Sequence, residues 1–174
     1  WPRGYRATLD GQFHGTFPYV PMPERIEKFH FSDPLLIIHL RVLVRADAEV
    51  DELAELSGKT LCSPLGYALT RHIERLLEDI GYQKEQTRSM AQCLQMLEND
   101  RLDFVVITRR QAEALLGKSL TELERLRPLE RVNLPTPLHL IVPRNRDNGS
   151  ALIQAFNRAL EQLRQEGEVD PLRR

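Results

Sequence analysis

The chain has 174 residues, 41% hydrophobic and 28% charged, with 24 Lys and Arg against 25 Asp and Glu for a formal net charge of -1. That is enough to bury one core or two small ones, and the balanced, interspersed charge excludes a global field for nucleic acid or an anionic membrane surface. The longest apolar run, Pro34 to Val44, is interrupted by His39 and Arg41 and is too short to span a bilayer.

At the start, Trp1-Pro2-Arg3-Gly4 lacks the basic stretch and apolar core of a signal peptide, which predicts a cytosolic chain or a processed or trimmed one. Tyr5 to Leu9 reads as a helix, Phe13 to Phe17 as a short strand, and a proline-broken loop leads into another helical turn. A long apolar strand follows at Leu35 to Val44. A short helix with Val50, Leu53, Ala54 and Leu56 inward stops at Ser57-Gly58, ahead of a strand from Lys59 to Ser63. The turn Pro64-Leu65-Gly66 then opens a helix with Leu69, Ile73, Leu76, Leu77 and Ile80 inward, ended by Gly81. Tyr82 to Thr87 is a polar strand, and Ser89 caps a helix striped by Met90, Cys93, Leu94 and Leu97. The strand Asp103 to Ile107 and a helix ending near Gly117 complete a βαβαβα unit, which predicts a parallel sheet with helical crossovers. Beyond it lie an apolar strand at Leu138 to Val142 and a helix capped by Ser150, with Ile153, Phe156, Leu160 and Leu163 on one face until Gly167. Cys62 and Cys93 are either one disulfide or, the ordinary reading for a single pair at this spacing, two buried thiols.

Four stretches carry a family resemblance. "WPRGYRATLDGQFHGTFPYVPMPERIEKFHFSDPLL" holds a helix, a Gly-containing turn, a P-E-R loop and an F-S-x-P lead. "VDELAELSGKTLCSPLGYAL", "SMAQCLQMLENDRLDFVVITRR" and "PTPLHLIVPRN" with "LIQAFNRALEQLRQEGEVDPL" follow in order. Together they resemble the family 3 extracellular solute-binding proteins, the type II periplasmic clamshells of the amino-acid-receptor kind. The resemblance implies two α/β lobes joined by two crossover strands, with residues 1–45 and 134–174 as lobe 1 and 46–133 as an inserted lobe 2. Family members carry a further βαβ stretch ahead of the first helix, so lobe 1 is expected to be incomplete here.

In an open parallel sheet, ligands bind beyond the carboxyl ends of the strands, where helix N-termini present free N–H groups. Ser63 to Tyr67, Thr87 to Ser89 and Thr108 to Arg110 fall at such ends, which makes Ser63, Gly66, Tyr67, Thr108 and Arg109 candidate ligand contacts. Gly66 admits close backbone approach to an anion and Tyr67 offers a ring or hydroxyl; the plain alternative is an ordinary turn with a surface tyrosine. The resemblance places Arg25 where the family's arginine grips a carboxylate with its planar donor fork, flanked by the aromatic rings of Phe17 and Tyr19. Its alternative is a surface ion pair with Glu24 or Glu27. Met22 stands where the family has a hydroxyl, and Thr108-Arg109-Arg110 stands where amino-acid receptors tend to place an aspartate for the ligand ammonium. The residues therefore favour an anionic or aromatic ligand over a standard amino acid, unless Arg109 and Arg110 simply cap or solvate their helix.

The function implied is capture of a small polar ligand, amino-acid-like or otherwise anionic, for an ABC-type transporter, in the periplasm of a bacterium. The partners implied are the small-molecule ligand and an ABC permease or a signalling partner, with no nucleic acid, and the chain is not itself membrane-inserted. The alternatives are the sensing domain of a signalling receptor, a dehydratase-like enzyme for which Glu24 beside Arg25 is a poor acid, and a degenerate lobe without ligand. No cofactor, metal ligand set or catalytic residue is expected: His14, His30, His39, His72 and His139 lack metal-site spacing. The sequon Asn148-Gly149-Ser150 falls on a turn and helix cap, and its structural reading is preferred.

Overall fold

The structure, a computed structural model, describes residues 2–119, 122 and 124–169. In chain order its elements are α1 (Pro2–Leu9), β1 (Thr16–Tyr19), α2 (Pro23–Ile26), β2 (Phe29–Phe31) and β3 (Leu36–Arg45), then a 3-10 turn (Leu53–Leu56). β4 (Thr60–Pro64), α3 (Arg71–Ile80), β5 (Gln83–Thr87), α4 (Met90–Glu98), β6 (Phe104–Thr108) and α5 (Arg109–Leu116) follow, and β7 (Leu126–Pro128), β8 (Leu134–Pro143) and α6 (Gly149–Gln165) end the series. The chain divides into two units, Trp1–Ile38 with Thr136–Arg174, and His39–Pro135, so the polypeptide passes between them inside β3 and again inside β8.

In the first unit β8 is the middle strand of an antiparallel trio: Ile141 lies opposite Thr16 of β1 and opposite Phe31 of β2. Tyr19, Phe29 and Ile141 form its buried core, and Tyr5 and Leu9 of α1 pack on it with Phe31. The Tyr5 ring stands 5.0 Å from Phe29 and 6.2 Å from Tyr19, within the range of tilted aromatic pairs. The expected strand from Phe13 begins instead at Thr16. Asp10 and Gln12 donate back to the carbonyls of Arg6 and Ala7, so the end of α1 winds on into a turn and leaves Phe13 exposed.

The expected cap of the last helix is also corrected. Asn148 is the N-cap of α6, without a side-chain bond, and Ser150 is already inside the helix. Close packing sets this start: a Cβ on Gly149 would lie 2.7 Å from the Pro143 carbonyl oxygen, so only glycine fits where α6 leaves β8. Of the predicted apolar face, Ile153 and Leu160 are buried and Leu163 stays exposed.

The second unit orders its strands β7-β3-β6-β4-β5. β4 runs parallel to β5 and β6, as the βαβαβα pattern predicts, and β3 joins antiparallel to β6 and β7. Composition explains the order. Four of the five β4 residues and Phe104 to Ile107 are buried, as strands covered on both faces require, while Gln83-Lys84-Glu85-Gln86 are exposed on edge strand β5. Leu43, Leu94, Leu97, Leu102, Val105, Ile107 and Leu126 belong to the core. The helix expected over Val50 to Leu56 is shorter, a 3-10 turn in which the Glu55 carboxylate accepts from the N–H groups of Asp51 and Glu52. Among the described residues no helix is long and apolar enough to cross a membrane.

Cys62 of β4 and Cys93 of α4 are joined as a disulfide, which overturns the reading as two thiols. Their periodicities aim both into one core, Cys62 from a buried strand and Cys93 from the inward stripe of α4. The bridge closes a loop of sequence separation 31. Replacing both cysteines (C62A/C93A) is expected to lower the unfolding free energy by roughly 3–4 kcal/mol, the chain-entropy value for such a loop, measured by urea denaturation.

Candidate ligand site

The three parallel strands of the second unit end on one edge of the sheet, and each hands the chain to a helix whose first N–H groups need acceptors. Side chains supply them. Thr70 accepts from Ile73 N at 3.3 Å before α3, Ser89 from Gln92 N at 3.2 Å before α4, and Thr108 from Gln111 N at 3.1 Å before α5. The helix after β4 thus starts at Arg71, and Gly66 does not sit at its N-terminus as the sequence led us to expect. Gly66 lies in an intervening loop with φ +77, exposed and with open space around its Cβ position. The demand for glycine there is conformational.

The loop is tied to its neighbours by main-chain bonds, Leu65 N to Thr87 O at 2.9 Å and Tyr67 N to Pro64 O at 3.0 Å. Ser63 is buried at 5% exposure and its hydroxyl bonds to none of the described residues. Tyr67 is half-buried against the core cluster, and burial pushes its phenol up to about 12, so at neutral pH it acts only as a neutral hydroxyl. Sequence reasoning passed over the side chain of Thr87, whose buried hydroxyl donates to Ser89 O at 3.0 Å and lies 3.1 Å from Cys93 Sγ. The only local signal was a threonine ending a polar strand two residues before a cap.

At the end of β6 both candidate side chains make local contacts. The Thr108 hydroxyl accepts as a cap and keeps its own O–H to donate, and Arg109 turns along α5, its Nε 2.9 Å from Glu113 Oε1. Both groups are exposed enough that the pair contributes little to stability. Ser63, Gly66, Tyr67 and Thr108 share this edge of the sheet; Arg109 stands beside it with its charge already paired.

Arg25 and Tyr19 belong to the first unit. α2 is a single turn opened by Pro23, and it places Arg25 over the Tyr19 ring, the guanidinium carbon 5.4 Å from the ring centroid. One terminal nitrogen donates to Val20 O at 3.0 Å. Arg25 forms no ion pair among the described residues, so the alternative with Glu24 or Glu27 is not what the structure holds, and its remaining guanidinium donors are open. Tyr19 is only 4% exposed and supports the cation from below; Phe17, at 66%, is the open ring of the same strand. Burial raises the Tyr5 phenol above its ordinary value, with Arg25 pulling it back and Glu24 adding to the rise. Among the described residues no group of three or more His, Cys, Asp or Glu is placed to hold a metal ion.

Residues 5–174 match the family model of the bacterial extracellular solute-binding proteins, family 3. The chain is 24% identical over 164 residues to the arginine-binding extracellular protein ArtP of Bacillus subtilis (strain 168), across 88% of this chain and 58% of that protein. It thus spans a little over half the length of this curated relative. An ancestral arginine-binding protein bound to arginine has a similar fold, with a TM-score of 0.72 at 22% identity over 95% of this chain and 72% of its own. A putative binding component of an ABC transporter from Wolinella succinogenes DSM 1740, complexed with lysine, has a TM-score of 0.75 at 16% identity over 98% and 72%. These likenesses establish a type II binding-protein α/β fold.

Removing the cap with Thr108→Ala is expected to destabilise by about 1 kcal/mol, whereas Arg109→Ala should change stability by less than about 0.5 kcal/mol; chemical denaturation of the two variants checks the contrast.

Proposed function

We propose, since the chain belongs to the bacterial extracellular solute-binding proteins of family 3, that it captures a small ligand carrying a carboxylate, outside the cytoplasm, for an ABC-type transporter. The observation that carries this reading is Arg25: half-buried, steadied by the Val20 carbonyl and the Tyr19 ring, and without a counter-ion among the described residues. A guanidinium held at one corner keeps part of its planar fork for a carboxylate, and a charged donor makes the stronger kind of hydrogen bond.

Two sets of contacts are proposed. On the first unit Arg25 binds the carboxylate, with Tyr19 as its support. On the second, the open Ser63 hydroxyl, the backbone at Gly66 and the Tyr67 hydroxyl offer neutral donors, and Thr108 lies at the same edge. Arg109 is proposed to reach a ligand anion only by leaving its exposed pair with Glu113, which costs little because such surface pairs contribute little. No carboxylate ends β6 to meet a ligand ammonium, so an anion is preferred over a cationic amino acid, although ArtP and the ancestral protein are arginine-binding by name and the Wolinella neighbour is complexed with lysine. The named relatives are binding proteins, and this chain is proposed to bind without turnover. The Cys62–Cys93 bridge supports an oxidising compartment, in keeping with export.

Isothermal titration with L-glutamate, succinate, L-arginine and L-lysine tests this. The anions are expected to bind, and Arg25→Ala to weaken them by about tenfold or more, with Arg25→Lys restoring only part because an ammonium lacks the fork. Tighter binding of L-arginine or L-lysine than of either anion would overturn the preference, and binding indifferent to Arg25 would overturn the site.

A further inference from the structure

We infer that the Cys62–Cys93 bridge is the positioning device that holds the Ser63–Tyr67 segment, and with it the neutral donors of the proposed ligand site, in place. The inference deepens the ligand reading and rests on it for the meaning of those donors, but the mechanical claim stands on the geometry of β4 alone.

β4 is paired on both sides only through its first half. Its register with β6 runs over Leu61 opposite Phe104 and Cys62 opposite Val105, whereas its register with β5 continues to Pro64 opposite Thr87. From Ser63 onward the strand is therefore held on one side, by an edge strand whose first four residues are exposed. Pro64 has no N–H to add to the ladder. Leu65 and Gly66 beyond it are exposed, and the two main-chain bonds of the turn each contribute little net stability, since water competes for the same groups. Such a segment opens readily unless something else anchors it.

The anchor sits where two-sided pairing stops. Cys62, 1% exposed, is bonded to Cys93, 0% exposed, on the buried face of α4 with Met90, Leu94 and Leu97. Thr87 links the same parts: its carbonyl takes the Leu65 N–H, its hydroxyl takes hold of the Ser89 carbonyl ahead of α4, and its Oγ1 lies 3.7 Å from Cys62 Sγ and 3.1 Å from Cys93 Sγ. Without the S–S bond, the last pairs of β4 and the turn keep only the exposed edge strand and the packing of Tyr67 on the core to hold them.

Amide hydrogen exchange on the ligand-free protein tests this, comparing wild type with C62V/C93A, which removes the bond while roughly conserving volume. The Leu65 and Tyr67 amides are expected to exchange roughly tenfold faster relative to the Val105 and Ile107 amides of β6, as a loss of about 1.4 kcal/mol in local opening requires. Equal acceleration at the turn and in β6 would mean a purely global effect and would overturn the assignment. Thr87→Val keeps both the bridge and the Thr87 carbonyl and should leave the turn amides protected; loss of protection there would move the role from the bridge to the hydroxyl. Should C62V/C93A fail to fold, wild type reduced with dithiothreitol gives the same reading: each sulfur gains a hydrogen, and the reagent is oxidised to its cyclic disulfide. Because no ligand is added, a failed titration panel leaves this outcome readable.

Discussion

Parallel strands that end on a common edge deliver three helix starts to that edge, and each start brings N–H groups the helix cannot satisfy. The second unit meets this constraint with Thr70, Ser89 and Thr108, one hydroxyl per helix. Everything proposed about its ligand surface follows from how those hydroxyls are used. Thr108 and Ser89 accept as caps, and the loop after β4, where the helix begins late and Gly66 takes a positive φ, adds the Ser63 and Tyr67 hydroxyls as further donors. Much of the polar chemistry of the edge thereby falls on one short segment, exposed at Leu65 and Gly66, whose rigidity has to come from its anchors.

That need gives the disulfide its place. A covalent bond between β4 and α4 stabilises the unit by restricting the unfolded chain, as any closed loop does. Its position adds something the loop length does not express, because it falls at the residue where β4 loses its second neighbour. Stability and site geometry are thus coupled through one pair of side chains, with Thr87 as the polar contact between them.

The first unit solves a different problem, that of keeping a cation half-buried without neutralising it. Arg25 rests on a buried ring and gives one nitrogen to a main-chain carbonyl, which orients the group and leaves its charge. Arg109 shows the opposite outcome on the second unit. Four residues along its helix stands Glu113, and the ordinary i,i+4 pairing of an exposed helix face takes up the guanidinium. The two arginines differ because one lies in a single helical turn, unpaired with Glu24 or Glu27, and the other at the head of a regular helix with an acid four residues on.

Much was legible before any coordinates. Inward stripes such as Ile73, Leu77, Cys93 and Leu97 and the polar run Gln83 to Gln86 determined the order of strands and helices, because burial imposes a period of 2.0 or 3.6 on the residues that line a core. The cap Ser89 was readable for the same local reason, whereas Thr108 was read as a ligand contact and its capping came from the structure. Ordered motifs along the chain, through to the closing helix, determined the family and, with Arg25, the kind of chemistry to look for. What required tertiary structure were the relations that sequence spacing does not encode. The Cys62 to Cys93 bond depends on which face of β4 meets α4, and the start of α6 at Gly149 depends on a carbonyl of β8 lying 2.7 Å from where a Cβ would be. The unpaired state of Arg25 depends on how Glu24 and Glu27 are placed around it, and the late start of α3 on Thr70 capping four residues beyond the turn that was expected to open the helix. Local patterns set each element; contacts between residues far apart in sequence decided which polar groups were left to bind.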